Sequence, residues 1–286
     1  MRIDLHAHSN ASDGTDTPTE LVAAAVTAGL DVVALTDHDT VSGHAEAAEA
    51  VRALPSGSRL TLVPGAELSC QVEGISMHLL AYLFDPAEPA FAEERELVRT
   101  DRFRRGRAVV ERCRELGAPI SWEQVRRIAG TGSVGRPHIA SALVEAGVVA
   151  TVSDAFTIDW LANGGRADVR KHETDPVTAV KLVRAAGGVP VFAHPGAVKR
   201  GRTVSEQVIA DLAAAGLAAL EVDHIDHDEE TRAHLTGLAA DLGLLITGSS
   251  DYHGSRKTVR LGEHTTDPAV YEALLAQATG AAPISG

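Results

Sequence analysis

The 286-residue sequence predicts an α/β barrel of seven strands that carries a long helical insertion. Short runs rich in β-branched residues or leucine recur along the chain, and amphipathic helical patterns lie between most of them. Strands that alternate with helices imply parallel βαβ units, and seven units make a barrel with one strand fewer than the usual eight. The predicted strands are Ile3–His8, Val32–Thr36, Leu60–Pro64, Met77–Phe84, Val189–Ala193, Ala218–Val222 and Leu244–Thr247.

Two of the intervening helices carry clear start and stop signals. Thr17 and Glu20 offer an N-cap and a capping-box partner, with a proline at the first helical position between them, and Gly29 is the predicted stop. A second helix is predicted to begin at Asp175 and to end before the glycine pair at 187–188. Both patterns favour helices that alternate with strands.

A long interval between the fourth and fifth predicted strands breaks this alternation. From about residue 85 to residue 175 there is no convincing strand pattern, and an insertion of that length is too large for a simple loop. We therefore predict a discontinuous barrel of residues 1–85 and 175–280, with residues 86–174 as a helical cap domain over one barrel mouth. The tail Ala281–Gly286 is predicted to be frayed. The helices predicted in the cap are Glu88–Leu116, Trp122–Ile128, Pro137–Ala146 and Val152–Asn163.

Composition and charge exclude several classes of function. Hydrophobic residues make up 44% of the chain, which is enough for a sizeable core. The formal net charge of −13 argues against a membrane surface or a long nucleic-acid duplex as partner. No apolar run approaches about 18 residues and no signal peptide is visible, so we expect no membrane span and a cytoplasmic location. The two cysteines, Cys70 and Cys113, are expected to be reduced thiols.

Polar side chains that can bind metal ions recur where the predicted strands end. Active sites of parallel α/β barrels lie at the carboxyl ends of the strands. His6 and His8, two residues apart on a strand, point to the same face and form a chelating pair. Asp251 and His253 repeat this spacing near the other end of the chain. The full set of candidate ligands is His6, His8, Asp13, His38, Glu67, His78, His194, Asp251 and His253.

The number and kind of these donors predict a cluster of metal ions. A single histidine at a strand end is more often a hydrogen-bonded structural residue, and a single carboxylate there is more often a helix N-cap. Nine donors together exceed the needs of one ion. Mixed imidazole and carboxylate ligands without thiolate fit two or three divalent ions of Mn, Fe or Zn. Clustered ions of this kind favour phosphoryl transfer to water.

The motifs around these residues resemble the PHP (polymerase and histidinol phosphatase) superfamily of metal-dependent phosphoesterases. Within it, the chain is similar to a stand-alone bacterial branch that removes phosphate from nucleoside 3′,5′-bisphosphates or trims 5′ nucleotides from short RNA. The matching stretches cover most of the chain, and they are Asp4–Gly14, Ala34–Thr40, Pro64–Ser69, His78–Asp85, Ala193–Gly196 and Gly248–Gly254.

The resemblance implies a distorted (β/α)7 barrel with a site of three metal ions and hydrolysis by a metal-bridging hydroxide. In the implied site, Glu67 bridges two of the ions. Carried onto matching positions, the first ion is held by His6, His8, Glu67 and Asp251, the second by Glu67, His78 and His194, and the third by Asp13, His38 and His253. The implied catalytic residues are His6, His8, Glu67, His194 and Asp251.

The helical insertion also resembles the family. Gly135–Ala140 is similar to the cap motif of the stand-alone branch, and so is the spacing of Arg102 and Arg105. Arginine binds phosphate through two parallel donors, which suits a substrate site. The chain departs from the family at Ala167–Lys171, where members usually carry an aromatic residue and a proline. The predicted substrate-binding residues are Arg136, His138, Arg102 and Arg105.

We therefore expect a phosphoesterase that acts on a small phosphorylated substrate, a nucleotide or short RNA. The nearest alternative is a histidinol-phosphate phosphatase, which the same superfamily supports. An amidohydrolase-type C–N hydrolase also opens with His-x-His on a barrel strand, but such sites generally use a bridging lysine, and no predicted strand ends in one. A non-enzymatic, metal-binding regulatory module is the remaining alternative.

Overall fold

The computed structural model describes residues 1–130, 134–169 and 172–286, without the side chain of Arg102. The described chain forms two compact units. The first consists of Met1–Arg95 and Glu173–Gly286, and the second consists of Glu96–His172. The candidate metal ligands all belong to the first unit.

Within the described residues, eight strands form one sheet, and all of them lie in the first unit. The first seven are neighbours in chain order, and a parallel bridge between Ala7 and Tyr252 links the segments that follow the first and the seventh. This nearly closed barrel of seven strands confirms the predicted fold class, a distorted (β/α)7 barrel. The strands are β1 (Ile3–Asp4), β2 (Val32–Leu35), β3 (Thr61–Val72), β4 (Ile75–Tyr82), β5 (Val189–Phe192), β6 (Ala219–Asp223), β7 (Leu245–Gly248) and β8 (Ile284–Ser285).

Strand β4 runs antiparallel to both of its neighbours, β3 and β5, whereas the other pairs from β1 to β7 are parallel. The uniformly parallel arrangement expected from the sequence is therefore wrong at β4. Only Glu73 and Gly74 separate the paired ends of β3 and β4, and both have positive φ, 53° and 74°. Two central residues with positive φ form the turn that closes a tight hairpin. The turn therefore sends β4 back along β3, and no helix crosses over between them.

The chain terminus also departs from expectation. Residues 281–286 were predicted to be frayed, but Ile284 pairs with Leu62 and Ser285 pairs with Thr61. Strand β8 thus adds to the edge of β3 as an antiparallel partner. A two-residue strand carries no periodic pattern, which is why the sequence did not predict it.

The helices begin where the sequence signals place them. Thr17 Oγ1 accepts a hydrogen bond from the Glu20 amide at 3.1 Å, and the Glu20 carboxylate accepts one from the Thr17 amide at 2.8 Å. At the later start, Asp175 caps the amide of Thr178 at 2.9 Å. Every helix in the described ranges is too short or too polar to cross a membrane. The helices are α1 (Pro18–Thr27), α2 (His44–Arg52), α3 (Pro89–Glu115), α4 (Trp122–Ala129), α5 (Arg136–Glu145), α6 (Pro176–Ala185), α7 (Glu206–Ala215), α8 (Glu229–Leu242) and α9 (Pro268–Leu275).

The core of the first unit is mostly aliphatic, as the 3% aromatic content requires. One buried cluster joins Ile3 of β1 and Val191 of β5 to Tyr271 of α9. In the same cluster the hydroxyl of Tyr82 donates to the carbonyl of Leu5 at 2.8 Å. This bond fastens β4 to the segment that carries the first pair of candidate ligands.

The second unit is helical and contains the C-terminal part of α3 with α4 and α5. Its core gathers Val110, Val125, Ile139 and Leu143, all fully or almost fully buried. The helix predicted over Val152–Asn163 is wrong, because this segment forms turns with one short 3-10 helix at Ser153–Ala155. The Asp154 carboxylate accepts hydrogen bonds from both the amide and the hydroxyl of Thr151. Local side-chain bonds of this kind compete with helical hydrogen bonding.

Candidate metal centre

The candidate ligands reach one site because the segments that follow the first and last barrel strands lie side by side. The bridge between Ala7 and Tyr252 sets His6-Ala7-His8 alongside Asp251-Tyr252-His253. A second parallel bridge joins His38, which follows β2, to Glu67 of β3. Six of the nine candidates are buried, and the other three, Asp13, His38 and His78, are partly exposed.

The most deeply buried group consists of His6, His8, Glu67 and Asp251, whose ligand atoms all lie within 4.8 Å of one another. The Nε2 atoms of His6 and His8 are 3.0 Å apart. Glu67 Oε2 lies 3.1 Å from the first and 3.0 Å from the second, and Asp251 Oδ1 lies 3.3 Å and 3.4 Å from them. Each of the four residues is at most 1% exposed. Their donor atoms therefore converge on one point that solvent does not reach.

Two further groups share residues with the first. Glu67 takes part in two groups: its Oε2 lies 3.3 Å from His38 Nδ1 and its Oε1 lies 2.8 Å from His78 Nδ1. The Glu67 carboxylate thus belongs to two neighbouring ligand groups, which is the arrangement of a bridging ligand. The two further groups are His8, Asp13, His38 and His253, and His38, Glu67 and His78.

His194 stands outside these three groups. Its Nε2 lies 3.2 Å from Glu67 Oε1, but the structure brings His38, rather than His194, together with Glu67 and His78. The backbone of His194 has a φ of 35°, and its amide donates to Glu221 at 2.8 Å. Burial lowers the pKa of the His194 imidazole to about 4, so at neutral pH the ring is uncharged and keeps a lone pair.

The charge balance of the cluster suits a bound cation. Burial opposes charge on His6, but the neighbouring carboxylates, led by Asp251, raise its pKa well above the usual value. Burial also opposes charge on Glu67, but the imidazoles of His38 and His78 hold its pKa well below the usual range. The cluster therefore keeps its carboxylates ionised and attracts positive charge to them.

Among the described residues, three buried imidazole nitrogens have no hydrogen-bond partner: one is Nε2 of His224, and the other two, Nδ1 of His38 and Nδ1 of His78, belong to candidate ligands. Both lie close to Glu67 but not in hydrogen-bonding geometry. Leaving buried nitrogen atoms unpaired costs free energy unless another ligand binds them. Imidazole nitrogens and carboxylate oxygens without thiolate form the donor set that suits Mn, Fe and Zn. The residues present therefore fit divalent metal ions.

Sequence reasoning missed two buried residues that contact these ligands. Glu221 of β6 accepts hydrogen bonds from His6 Nδ1 at 2.9 Å and from the Ser249 hydroxyl at 2.8 Å. His224 lies with its Nε2 3.5 Å from Asp251 Oδ2. The signal that could have found Glu221 is a single acid inside an otherwise apolar strand, because buried charges need partners.

The predicted substrate-binding arginines have partners inside the second unit. Arg105 donates to the Asp168 carboxylate at 3.0 Å and also to the carbonyl of Val169. Arg136 donates to the Asn163 side chain at 2.7 Å. These bonds brace the loop that precedes the end of the unit. The predicted contact of both arginines with substrate stays a prediction.

The other two predicted substrate residues are also in the second unit. His138 Nδ1 accepts a hydrogen bond from the Gly135 amide at 3.0 Å, which caps the start of α5. The side chain of Arg102 lies outside the described part of the chain, and so do Arg170 and Lys171 in the stretch that departs from the family pattern. Substrate binding by His138 and Arg102 stays a prediction.

The sequence is similar to known proteins along most of its length. The PHP domain model matches residues 4–116. A 5′-3′ exoribonuclease of Salmonella typhimurium is 34% identical over 269 residues, which cover 94% of this chain and 91% of that protein. The chain belongs to the PHP family. A 3′,5′-nucleoside bisphosphate phosphatase of Chromobacterium violaceum is likewise 34% identical to this PHP protein over 279 residues, covering 93% and 92% of the two chains.

Solved structures agree with this assignment. A crystal structure from Bifidobacterium adolescentis, described as that of a metal-dependent phosphoesterase, superposes with a TM-score of 0.84 at 37% identity. The match covers 97% of this chain and 96% of that one. The resemblance inferred from the motifs is therefore confirmed, and this PHP protein is a metal-dependent phosphoesterase, a hydrolase that acts on phosphate esters.

Proposed function

We propose that this PHP protein removes phosphate from small nucleotides, either a nucleoside 3′,5′-bisphosphate or a 5′-phosphorylated short oligoribonucleotide. We also propose that its cofactors are two or three divalent ions of Mn, Fe or Zn. The observation that carries the proposal is the set of three overlapping ligand groups, which share His8, His38 and Glu67. Two relatives that match nearly the full chain have names that indicate this class of substrate.

Each ligand group is proposed to hold one ion. When bound, the ions supply Lewis acidity, lower the pKa of water and neutralise the charge that builds up on the phosphoryl group. Glu67 contacts two of the three ligand groups, one through Oε2 and the other through Oε1. Burial of the first group excludes bulk water, which strengthens electrostatic interactions inside the site. The proposed catalytic residues are His6, His8, Glu67, His194 and Asp251.

Residues that are not candidate ligands orient the turn that carries His194. His227 donates from Nδ1 to the carbonyl of Val222 at 2.9 Å, so its Nε2 accepts the amide of Gly196 at 3.0 Å. The same turn carries His194, whose amide is held by Glu221. These bonds fix the backbone at a position with a left-handed φ, where most side chains are strained. The turn therefore presents the His194 ring in one orientation.

The test is steady-state kinetics of the Mn-loaded protein on a panel of phosphate esters. The panel holds a nucleoside 3′,5′-bisphosphate, a 5′-mononucleotide, a short 5′-phosphorylated RNA and histidinol phosphate. The proposal expects the highest kcat/KM on one of the nucleotide substrates. A preference for histidinol phosphate contradicts the proposed substrate class, and failure to hydrolyse any ester contradicts the proposed activity.

The C–N hydrolase alternative is tested with the same preparation. In the described structure Lys257 reaches Asp251, but it comes from the loop after β7 and not from a barrel strand. Within the described residues, the Lys257 ammonium pairs with Asp251 and contacts no other candidate ligand. We therefore expect no turnover of cyclic amides or amidines under conditions in which a phosphate ester is hydrolysed.

A further inference from the structure

The second unit, Glu96–His172, is basic although the chain as a whole is acidic. It holds 13 of the 26 Lys and Arg residues but only 9 of the 39 Asp and Glu residues. Its formal charge is therefore +4, within a chain whose formal charge is −13. A basic unit in an otherwise acidic protein attracts polyanions.

Two arginines of this unit differ from most of their neighbours. Several arginines pair with a nearby carboxylate, namely Arg99, Arg104, Arg105, Arg114 and Arg127. Arg107 and Arg126 form no ion pair among the residues that the structure describes, and both are exposed. Their positive charge is therefore not neutralised by a neighbouring acid.

Arg107 and Arg126 lie over two aromatic rings that contact each other. The guanidinium carbon of Arg126 is 4.7 Å from the ring centre of Phe103, and that of Arg107 is 6.0 Å from the ring centre of Trp122. The two ring centres are 5.3 Å apart, with an angle of 72° between the ring planes. Both rings are partly exposed. We call the four side chains, in the order Arg126, Phe103, Trp122 and Arg107, the arginine–aromatic row.

Two helices build the row in the same way. Phe103 and Arg107 are four residues apart on α3, and Trp122 and Arg126 are four residues apart on α4, so each helix presents one ring and one guanidinium on one face. Gly106 of α3 leaves room for the indole, because a Cβ at this position would lie 3.1 Å from Cζ3 and 3.3 Å from Cη2 of Trp122. The row is therefore held by the packing of α3 against Trp122 of α4.

Partly exposed rings beside guanidinium groups without ion pairs match the chemistry of single-stranded nucleic acid. Its bases stack on aromatic rings and on guanidinium planes, and its phosphates accept hydrogen bonds from guanidinium groups. An acidic peptide carries the charge but lacks the flat groups that stack on Phe103 and Trp122. A duplex keeps its bases stacked inside the helix, where the two rings do not reach them.

We propose that the arginine–aromatic row binds single-stranded RNA, with bases stacked on Phe103 and Trp122 and phosphates bound by Arg107 and Arg126. This inference rests on the proposed function and narrows its substrate to a short oligoribonucleotide. A mononucleotide has a single base, whereas two neighbouring rings offer stacking to successive bases of one strand. The contacts are made with ring faces and phosphates, so the row binds RNA without reading its sequence.

The first experiment is a stopped-flow anisotropy titration of the Mn-loaded protein with a fluorescent single-stranded RNA of about ten nucleotides, read before cleavage. The double variant Arg107→Gln/Arg126→Gln is expected to weaken binding at least tenfold. The matched control is Arg104→Gln/Arg127→Gln, which removes the same charge from exposed residues of the same two helices that have ion-pair partners. The control is expected to stay within threefold of the wild type.

The second experiment reports stacking directly. Trp122 and Trp160 are the two tryptophans of the chain, so Trp160→Phe leaves Trp122 as the single emitter. Saturating single-stranded RNA is expected to quench the Trp122 fluorescence, and an RNA duplex of the same sequence is expected to leave it unchanged. If Trp160→Phe does not fold, as judged by circular dichroism, the anisotropy titrations decide alone.

Three results overturn the proposal. Equal losses of affinity in the two double variants mean that the surface responds to charge alone. Trp122 emission that stays unquenched at RNA saturation means that no base stacks there. Binding of polyglutamate or of duplex RNA as tightly as single-stranded RNA means that the row is a site for another polyanion. RNA binding requires no hydrolysis, so failure of the proposed activity is recognised separately in the kinetic panel.

Discussion

His6 Nδ1 and Glu221 Oε1 lie 2.9 Å apart, and both side chains are fully buried. Because Nδ1 donates to the carboxylate, Nε2 is the nitrogen directed at His8 and Glu67. The second oxygen of Glu221 accepts a hydrogen bond from the amide of His194, so one acid in β6 orients ligands from the segment after β1 and from the turn after β5. A carboxylate behind a ligand histidine fixes its tautomer and raises its basicity.

Replacing Glu221 with glutamine is therefore expected to weaken Mn binding by roughly 10- to 100-fold, the usual effect of losing such a partner. The amide cannot accept from His6 and His194 as the carboxylate does, because its nitrogen is a donor. Competition with a calibrated chelator measures the affinity. Glu206→Gln, at an exposed acid of α7, is the matched control and should bind Mn as the wild type does. Unchanged Mn affinity in Glu221→Gln contradicts the positioning role.

Two ligand substitutions test the centre directly. Asp251→Asn and His194→Ala are each expected to abolish phosphate-ester hydrolysis, because each removes a donor that faces the cluster. Initial rates with saturating Mn measure the loss, and Asp241→Asn, at an exposed acid of α8, is the control for a charge change alone. Near-normal activity in either variant rejects the assignment of that residue as a metal ligand.

Tyr82→Phe tests how β4 is held in the barrel. The change removes the donor to the buried Leu5 carbonyl, and an unsatisfied buried acceptor costs about 1–3 kcal/mol of folding stability. Urea unfolding followed by circular dichroism measures the difference. Tyr271→Phe is the control, because the Tyr271 hydroxyl makes no hydrogen bond within the described ranges, and it should change the free energy of unfolding far less. Equal effects of the two changes would argue that packing, and not the hydrogen bond, is decisive.

Both cysteines are expected to be unreactive in the folded protein. Burial raises the pKa of the Cys113 thiol to about 11, and burial raises that of Cys70 well above its usual value. At pH 8, three units below 11, only about one Cys113 in a thousand is the reactive thiolate. A disulfide reagent at pH 8 should therefore modify neither residue until denaturant is added. Rapid labelling of the native protein contradicts this expectation.

The ligand set could be proposed from sequence because it follows from strand geometry. The carboxyl ends of barrel strands meet at one mouth, so donors such as His6 and His38 that follow different strands are brought together. The fold was harder to predict where a local turn decides it. Glu73-Gly74 reverses the chain after β3, but a glycine in a polar pair predicts a hairpin only when its strands are already known.

The supporting residues could not be found in the same way. Glu221 and its partner His6 are far apart in sequence, so no short-range spacing connects them. Arg200 and Lys257 come from loops and reach Asp251 through long side chains, whose direction no periodic pattern specifies. Such contacts depend on tertiary packing and become visible only in the folded chain.

The bridge between Ala7 and Tyr252 also has a consequence for biosynthesis. Tyr252 follows Ala7 by 252 − 7 = 245 residues, so the first histidines wait for their acidic partner until that later segment has been synthesised. Joining segments so distant in sequence carries a large loop-closure entropy, which slows the step that unites them. A nascent polypeptide that has not yet reached Asp251 therefore has no complete cation cage, and metal insertion is expected only after that segment has folded against the first histidines.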